Sequence, residues 1–248
     1  MVWFEEIDYD PSVSDASLFI HKDKNSFIFF HPVLIKKGLK LLNLEHCKPV
    51  KTPLTPAVHL YSASDEEHMN FLKLNINYCT FTGILNYLAC RSRPELASAV
   101  SIISQFNQRP GISHWKEMLH VWKYLKGSQD LGLLLKPKAS GMADRIQFYT
   151  NATWAEDQET RVSQSGSIAF WKSCPIIWGS KKQKNITLSS TESEMNAHSD
   201  GEQENQWLTF LIEELWKLKL NPTLFHVENH GLLENLKNFG RQDTWISK

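Results

Sequence analysis

The apolar residues change their period along this chain, and that change limits the possible folds more than any other feature. Between residues 78 and 126 they recur at helical spacing, with Leu96, Val100 and Ile103 in one stripe and Trp115, Leu119 and Trp122 in another. From Leu131 the spacing becomes two. Segments 131–136, 145–150, 166–171 and 175–178 read as strands separated by Gly, Pro, Ser or Asp clusters. Helical spacing returns after Leu188-Ser189-Ser190, where Ser189 with Glu192 and Thr191 with Glu194 both have capping-box spacing, and it runs to about Lys219. Pro222 leads into a strand at 223–227 and a short helix from about His230. Three strands, a long helix and a further strand imply an α+β arrangement with a parallel crossover.

The first part of the chain is punctuated differently. Two β-rich runs, 17–22 and 27–31, flank the turn-forming tetrad Asp23-Lys24-Asn25-Ser26 and predict a hairpin. Pro32 ends it, and Leu34, Leu41 and Leu42 between Lys36, Lys37 and Lys40 predict a short amphipathic helix. Pro49, Pro53 and Pro56 forbid regular helix between Cys47 and Leu60, which makes that stretch a linker with a boundary near residue 58. Ser92 and Glu95, with Pro94 between them, have the spacing of another capping box. Gly127 is the expected stop of the helix that carries Trp115 and Trp122.

A length of 248 residues allows one large domain or two modest ones. Lys plus Arg and Asp plus Glu both number 27, so a nucleic-acid surface would have to be local. The longest apolar run is far shorter than the ~20 residues of a membrane-spanning helix, so no membrane partner is expected. The acidic start, Trp3-Phe4-Glu5-Glu6, is unlike a signal peptide. Cys47, Cys79, Cys90 and Cys174 form no Cys-x-x-Cys pair, which fits free thiols, no disulfide partner and an intracellular setting.

Six carboxylates could carry chemistry, namely Asp157, Glu192, Glu194, Glu202, Glu204 and Glu228, and spacing does not choose among them. No Gly-rich nucleotide loop, His-Glu-x-x-His motif or Gly-x-Ser-x-Gly elbow occurs. Lys116, Lys123 and Lys126 lie off the apolar face of their helix, either as a solvated face or as a surface along a phosphate backbone.

The order of words in the chain goes further. Tyr78 to Ala89, Arg93-Pro94-Glu95-Leu96-Ala97, His114-Trp115-Lys116 and Tyr124-Leu125-Lys126-Gly127 resemble the tract after the polymerase in Copia-type retrotransposon polyproteins. Asn151-Ala152-Thr153-Trp154-Ala155, Thr160 to Gly166, Ser180-Lys181-Lys182-Gln183 and Leu188 to Glu194 resemble that family's ribonuclease H domain. Residues 9–31 resemble a reverse-transcriptase palm hairpin. Where the family has Val-Asp-Asp, this chain has His31-Pro32-Val33 and passes directly to a region like the one preceding Cys47 to Leu54.

The resemblance implies a mixed α/β chain of three parts: a reverse-transcriptase palm and thumb remnant at 1–58, a helical connection at 59–130, and a ribonuclease H-like βββαβ domain at 131–248, truncated at its C-terminus. It also implies reverse transcription and hydrolysis of the RNA strand of an RNA:DNA hybrid, with Mg2+ or Mn2+ as cofactor. At the catalytic positions the chain has Asn151 in place of an aspartate, Glu194 on the long helix, Glu228 in place of an aspartate, and Asp243 as a weak match to the last acid. Glu194 and Glu228 are the expected metal ligands, and Lys181, Lys182, Lys184, Lys116, Lys123 and Lys126 the expected contacts to nucleic acid. The expected state is a catalytically inactive Pol fragment. The alternatives are a nucleic-acid-binding remnant, a surviving metal-dependent nuclease and a structural interaction module.

Overall fold

The structure, a computed structural model, describes residues 8–12, 17–23, 25–138 and 144–242. The chain divides into two compact units, Met1–Pro137 and Lys138–Lys248. Both combine helices with a four-stranded sheet, a mixed α+β organisation.

In the first unit, strands β1 (Tyr9–Pro11), β2 (Leu18–His21), β3 (Phe27–Phe29) and β4 (Leu133–Leu135) form an antiparallel sheet in that order. The β2–β3 hairpin forms at the expected tetrad, with the Asn25 amide donating to the Asp23 carboxylate at 2.8 Å. Residues 131–136 do contain a strand, but it pairs with β3, Phe29 opposite Leu133, and not with the strands that follow it in sequence. Gly132 permits this approach, since a Cβ there would lie 2.8 Å from Ile28 Cγ2.

Among the described residues, the unit also holds the α-helices α1 (Pro32–Leu41), α2 (Asp65–Leu72), α3 (Tyr78–Arg91), α4 (Ala97–Ser104) and α5 (Ile112–Gly127). Pro32 opens α1 at a position where its missing N–H costs nothing. Ser64 and Asn77 cap α2 and α3 by accepting the amides of Glu67 and Thr80. The Ser92–Glu95 capping box does not form. The Ser92 hydroxyl is bonded to His31 Nδ1 at 2.9 Å, and Glu95 takes the Arg93 Nε at 2.5 Å. The core is built on Leu85, Leu88, Leu96, Ile103, Met118, Trp122 and Leu125, all fully buried. Gly38 lets α1 lie on α5, because a Cβ there would meet Trp122 Cη2 at 2.0 Å.

The Pro-rich stretch has neither helix nor strand, as its prolines require, but it is not a free tether. It runs as a strap along α5. The Val50 amide donates to the Lys123 carbonyl at 3.4 Å, His120 Nε2 lies 3.1 Å from the Thr52 carbonyl, and Thr55 donates its amide and hydroxyl to the Glu117 carboxylate. His114 is held similarly: its Nδ1 accepts the Gly111 amide and its Nε2 donates to the Tyr61 carbonyl, each at 2.8 Å.

In the second unit, β5 (Ile146–Thr153), β6 (Gln164–Trp171), β7 (Cys174–Lys182) and β8 (Leu224–His226) form a sheet ordered β7-β6-β5-β8. The first three are antiparallel neighbours. Lys172 and Ser173 turn β6 into β7 with φ of 50° and 67°, the positive pair of a type I′ hairpin. The long helix α6 (Ser190–Trp216) then crosses over, and β8 pairs parallel to β5. The helix stops before Lys219, because Lys217 turns left-handed with φ of 51°. Helix α7 (His230–Gln242) follows. Ile146, Phe148, Ala169 and Trp171 meet Leu208, Ile212 and Leu220 in the core.

Candidate active site

Helix α6 begins at Ser189, whose hydroxyl accepts the Glu192 amide at 3.1 Å, while the Glu192 carboxylate accepts the Leu188 amide at 2.7 Å. Ser189 thus takes the cap, and Thr191 and Glu194 lie within the helix. Glu194 heads a stripe at helical spacing with Ala197, His198, Gly201, Asn205, Leu208 and Ile212, all buried. Gly201 brings the stripe onto β5, since a Cβ there would be 2.7 Å from Thr150 Cγ2 and 3.0 Å from the Phe148 ring.

Burial draws Glu194 into the seam between α6 and β5, and only 7% of it remains exposed. That burial raises its pKa above the ordinary carboxylate range. A hydrogen bond from the Ala152 amide opposes the rise, and the nearby charge of Glu228 adds to it. Glu194 Oε2 is buried without a hydrogen-bond partner. Asn151, the residue before Ala152, is exposed near the end of β5, and Glu228 is exposed just past the end of β8. The parallel pairing puts the ends of these two strands at one edge of the sheet. Glu194 and Glu228 therefore come close from two elements, while Asn151 precedes the amide that binds Glu194 and alternates to the face of β5 opposite Thr150. Asp243 lies outside the described residues.

The other candidate carboxylates have separate uses. Glu192 serves the cap, Glu204 accepts from Ser167 at 3.4 Å, and Glu202 lies 3.9 Å from His198 Nε2. Asp157 forms a close ion pair with Lys182. Partial burial would raise the Asp157 pKa, but the Lys182 and Thr160 hydrogen bonds outweigh it and hold the carboxyl below the ordinary range. Lys181 pairs with Asp200 at 3.2 Å, and Lys184 is exposed. Lys116, Lys123 and Lys126 belong to α5 in the first unit.

Sequence reading missed three polar groups of this unit. Thr150 Oγ1 and His198 Nδ1 are buried without partners on the α6 side of β5. Burial pushes the His198 pKa down, against the raising effect of Glu202. His226, whose Nε2 also lacks a partner, stacks on Tyr149 with ring centres 4.1 Å apart. The available signal was His198 four residues after Glu194, on the same helical face.

Gln183 explains one of the sequence words structurally. Its side-chain amide donates to Ser165 Oγ at 2.9 Å and to the Ser193 carbonyl at 2.8 Å, tying the start of α6 to β6. On the far side of the helix start, Asn229 accepts the Leu232 amide at 3.0 Å and caps α7, while Thr191 donates to the same oxygen at 3.4 Å.

Among the described residues, no three His, Cys, Asp or Glu side chains are grouped so as to hold a metal ion. Two-ion catalysis needs carboxylates around both cations, about 3.5–4 Å apart. One neutral amide, one buried carboxylate and one exposed carboxylate do not fit such a centre.

No family model matches the chain, and no solved structure does. Curated relatives do. The chain is 32% identical over 225 residues to the retrovirus-related Pol polyprotein from transposon RE2 of Arabidopsis thaliana, a match covering 85% of this chain and 15% of that protein. It is 32% identical over 185 residues to the corresponding polyprotein from transposon TNT 1-94 of Nicotiana tabacum, covering 73% of this chain and 14% of that one. A shorter match, 39% over 135 residues, covers 54% of this chain and 93% of the secreted RxLR effector protein 161 of Plasmopara viticola. The chain spans about 15% of the RE2 polyprotein, far less than the length of that relative. On these matches, the chain belongs to the retrovirus-related Pol polyproteins of Copia-type transposons.

Proposed function

We propose that the chain is a degenerate Pol fragment whose second unit is a ribonuclease H-like domain without effective catalysis. In this reading, residues 1–58 descend from a reverse-transcriptase palm and thumb and residues 59–130 from the connection that follows the polymerase. The polymerase half lacks its aspartates, and its hairpin ends instead at His31, a buried residue bonded to Ser92. The observation that supports the proposal is that the buried Glu194 has the charge of Glu228 beside it, while β5 offers the amide Asn151 where the family has an aspartate. An amide supplies no charge where a hard cation needs it.

Magnesium binding, in this reading, is no tighter than roughly millimolar, the weak end of the range for oxygen ligands. Release of labelled RNA from an RNA:DNA hybrid, in magnesium or manganese, tests the proposal. The wild type, Asn151→Asp and Glu228→Asp should all be silent, and the double variant should show at most trace cleavage, because metal ligands act as a unit. Ready cleavage by the wild type, lost in Glu194→Ala, would replace this reading with that of an active nuclease.

A further inference from the structure

Helix α6 has two apolar faces. One is the buried stripe that ends in Gly201, Asn205, Leu208 and Ile212, whose Leu208 and Ile212 pack in the core of the sheet. The other lies outside, in the second half of the helix: Trp207 is 58% exposed, Phe210 70% and Leu215 61%, with the half-buried Leu211 among them. At about 100° per residue these four fall within roughly 140° of one another, and their centre is about 120° from the buried stripe. Scattered exposed apolar residues are ordinary, but a continuous stripe of them on one helix marks an interaction surface.

The size of the stripe fits one protein interface. Large aromatic side chains present about 150–250 Å² each, so at these exposures Trp207, Phe210 and Leu215 leave roughly 400 Å² of apolar surface in water. A standard interface takes about 800 Å² from each partner, roughly 56–65% of it non-polar, which is about 450–500 Å². Leu211 supplies much of the difference.

Charge selects the partner. Glu202 and Glu204 precede the stripe, and the exposed Lys217 and Lys219 follow it. A second α6 laid antiparallel, with a two-fold axis between residues 210 and 211, brings the lysine end of each copy to the level of the acidic turn of the other. The same axis sets Phe210 beside its own counterpart and Leu211 beside its own, as a two-fold contact requires. It also sets Trp207 level with Glu214 of the second copy, the acid inside the stripe, whose carboxylate can accept the indole N–H. A parallel copy would instead place acid against acid and lysine against lysine, which is costly.

We propose that α6 is the interface of a homodimer, pairing antiparallel with α6 of a second copy through Trp207, Phe210, Leu211 and Leu215. The surface uses none of the candidate catalytic residues, so it stands apart from the reading of the second unit's activity.

The test is sedimentation velocity of the full chain over the micromolar range. The wild type should sediment as a dimer that dissociates on dilution. Phe210→Asp sets two like charges at the axis and should weaken self-association by about 100-fold or more, and Phe210→Lys should do the same. Mixing the two variants should restore the dimer, because opposite charges then meet at the axis. Leu41→Asp, at a position 57% exposed on α1, should leave association unchanged. Near-UV circular dichroism of each variant should match the wild type, since Phe210 and Leu41 lie largely in solvent. The proposal is overturned if the wild type is monomeric throughout, if it assembles beyond a dimer, if Phe210→Asp dimerises as the wild type does, or if the mixed variants stay monomeric.

Discussion

In the first unit Arg93, His114 and the His31–Ser92 pair are buried with their hydrogen bonds made, whereas in the second unit Thr150, Glu194 and His198 each keep a buried polar atom without a partner. The buried Arg93 guanidinium donates to the Ser128 carbonyl at 3.1 Å and its hydroxyl at 2.6 Å, and lies over the Tyr124 ring. Trp122 Nε1 is the exception in the first unit. An unmet buried polar atom costs about 1–3 kcal/mol. Three such atoms lie along one helix–strand seam of the second unit, so its buried polar groups are less fully paired than those of the first.

The largest expected effect tests the first unit's packing. Gly38→Ala would normally favour a helix by about 0.5–1 kcal/mol. Here the added Cβ would meet the fully buried Trp122 ring, and we expect a loss of about 3 kcal/mol in urea unfolding followed by near-UV circular dichroism. A stabilised variant would break the picture of a closely packed first core.

A smaller loss is expected at the equivalent contact in the second unit. Gly201→Ala places a Cβ 2.7 Å from Thr150 Cγ2, and about 1–2 kcal/mol should be lost by the same measurement. A loss equal to that of Gly38→Ala would mean the two contacts are packed alike, which would blunt the contrast between the units.

The smallest effect has the opposite sign. Because the Glu194 pKa is raised in the folded chain, the native state holds the proton more tightly than the unfolded chain does. Its contribution to stability is fully present below the ordinary carboxylate range and is lost as pH rises through the raised value. Glu194→Gln keeps the shape and removes the charge, so its melting temperature should exceed the wild type's at pH 7 by a few degrees and match it near pH 4. A lower melting temperature at pH 7 would show that the charged carboxylate is stabilised where it lies.

Much of the local structure was legible before the fold was known. The turn at Asp23 to Ser26, the start of α6 at Ser189 and the order of strands around the crossover depend on residues close together in sequence, where turn chemistry, capping and period act directly. Glu194 was one acid among six by spacing, and family resemblance singled it out. Its burial follows from the α6 stripe. The unmet atoms of Thr150 and His198 were not legible, because whether a side chain finds a partner depends on which element lies opposite.

By itself, then, the amino-acid sequence determined the turn at Asp23 to Ser26, the start of α6 and the presence of an amide at position 151, since these reside in neighbouring residues. Tertiary structure alone decided that β4 joins β3, that Ser92 serves His31 instead of a cap, and that the proline strap lies along α5 with Val50 bonded to the Lys123 carbonyl. Each of these is a contact between residues far apart in the chain. Several partners of similar chemistry compete for each such contact, and only the geometry of the whole unit chooses among them.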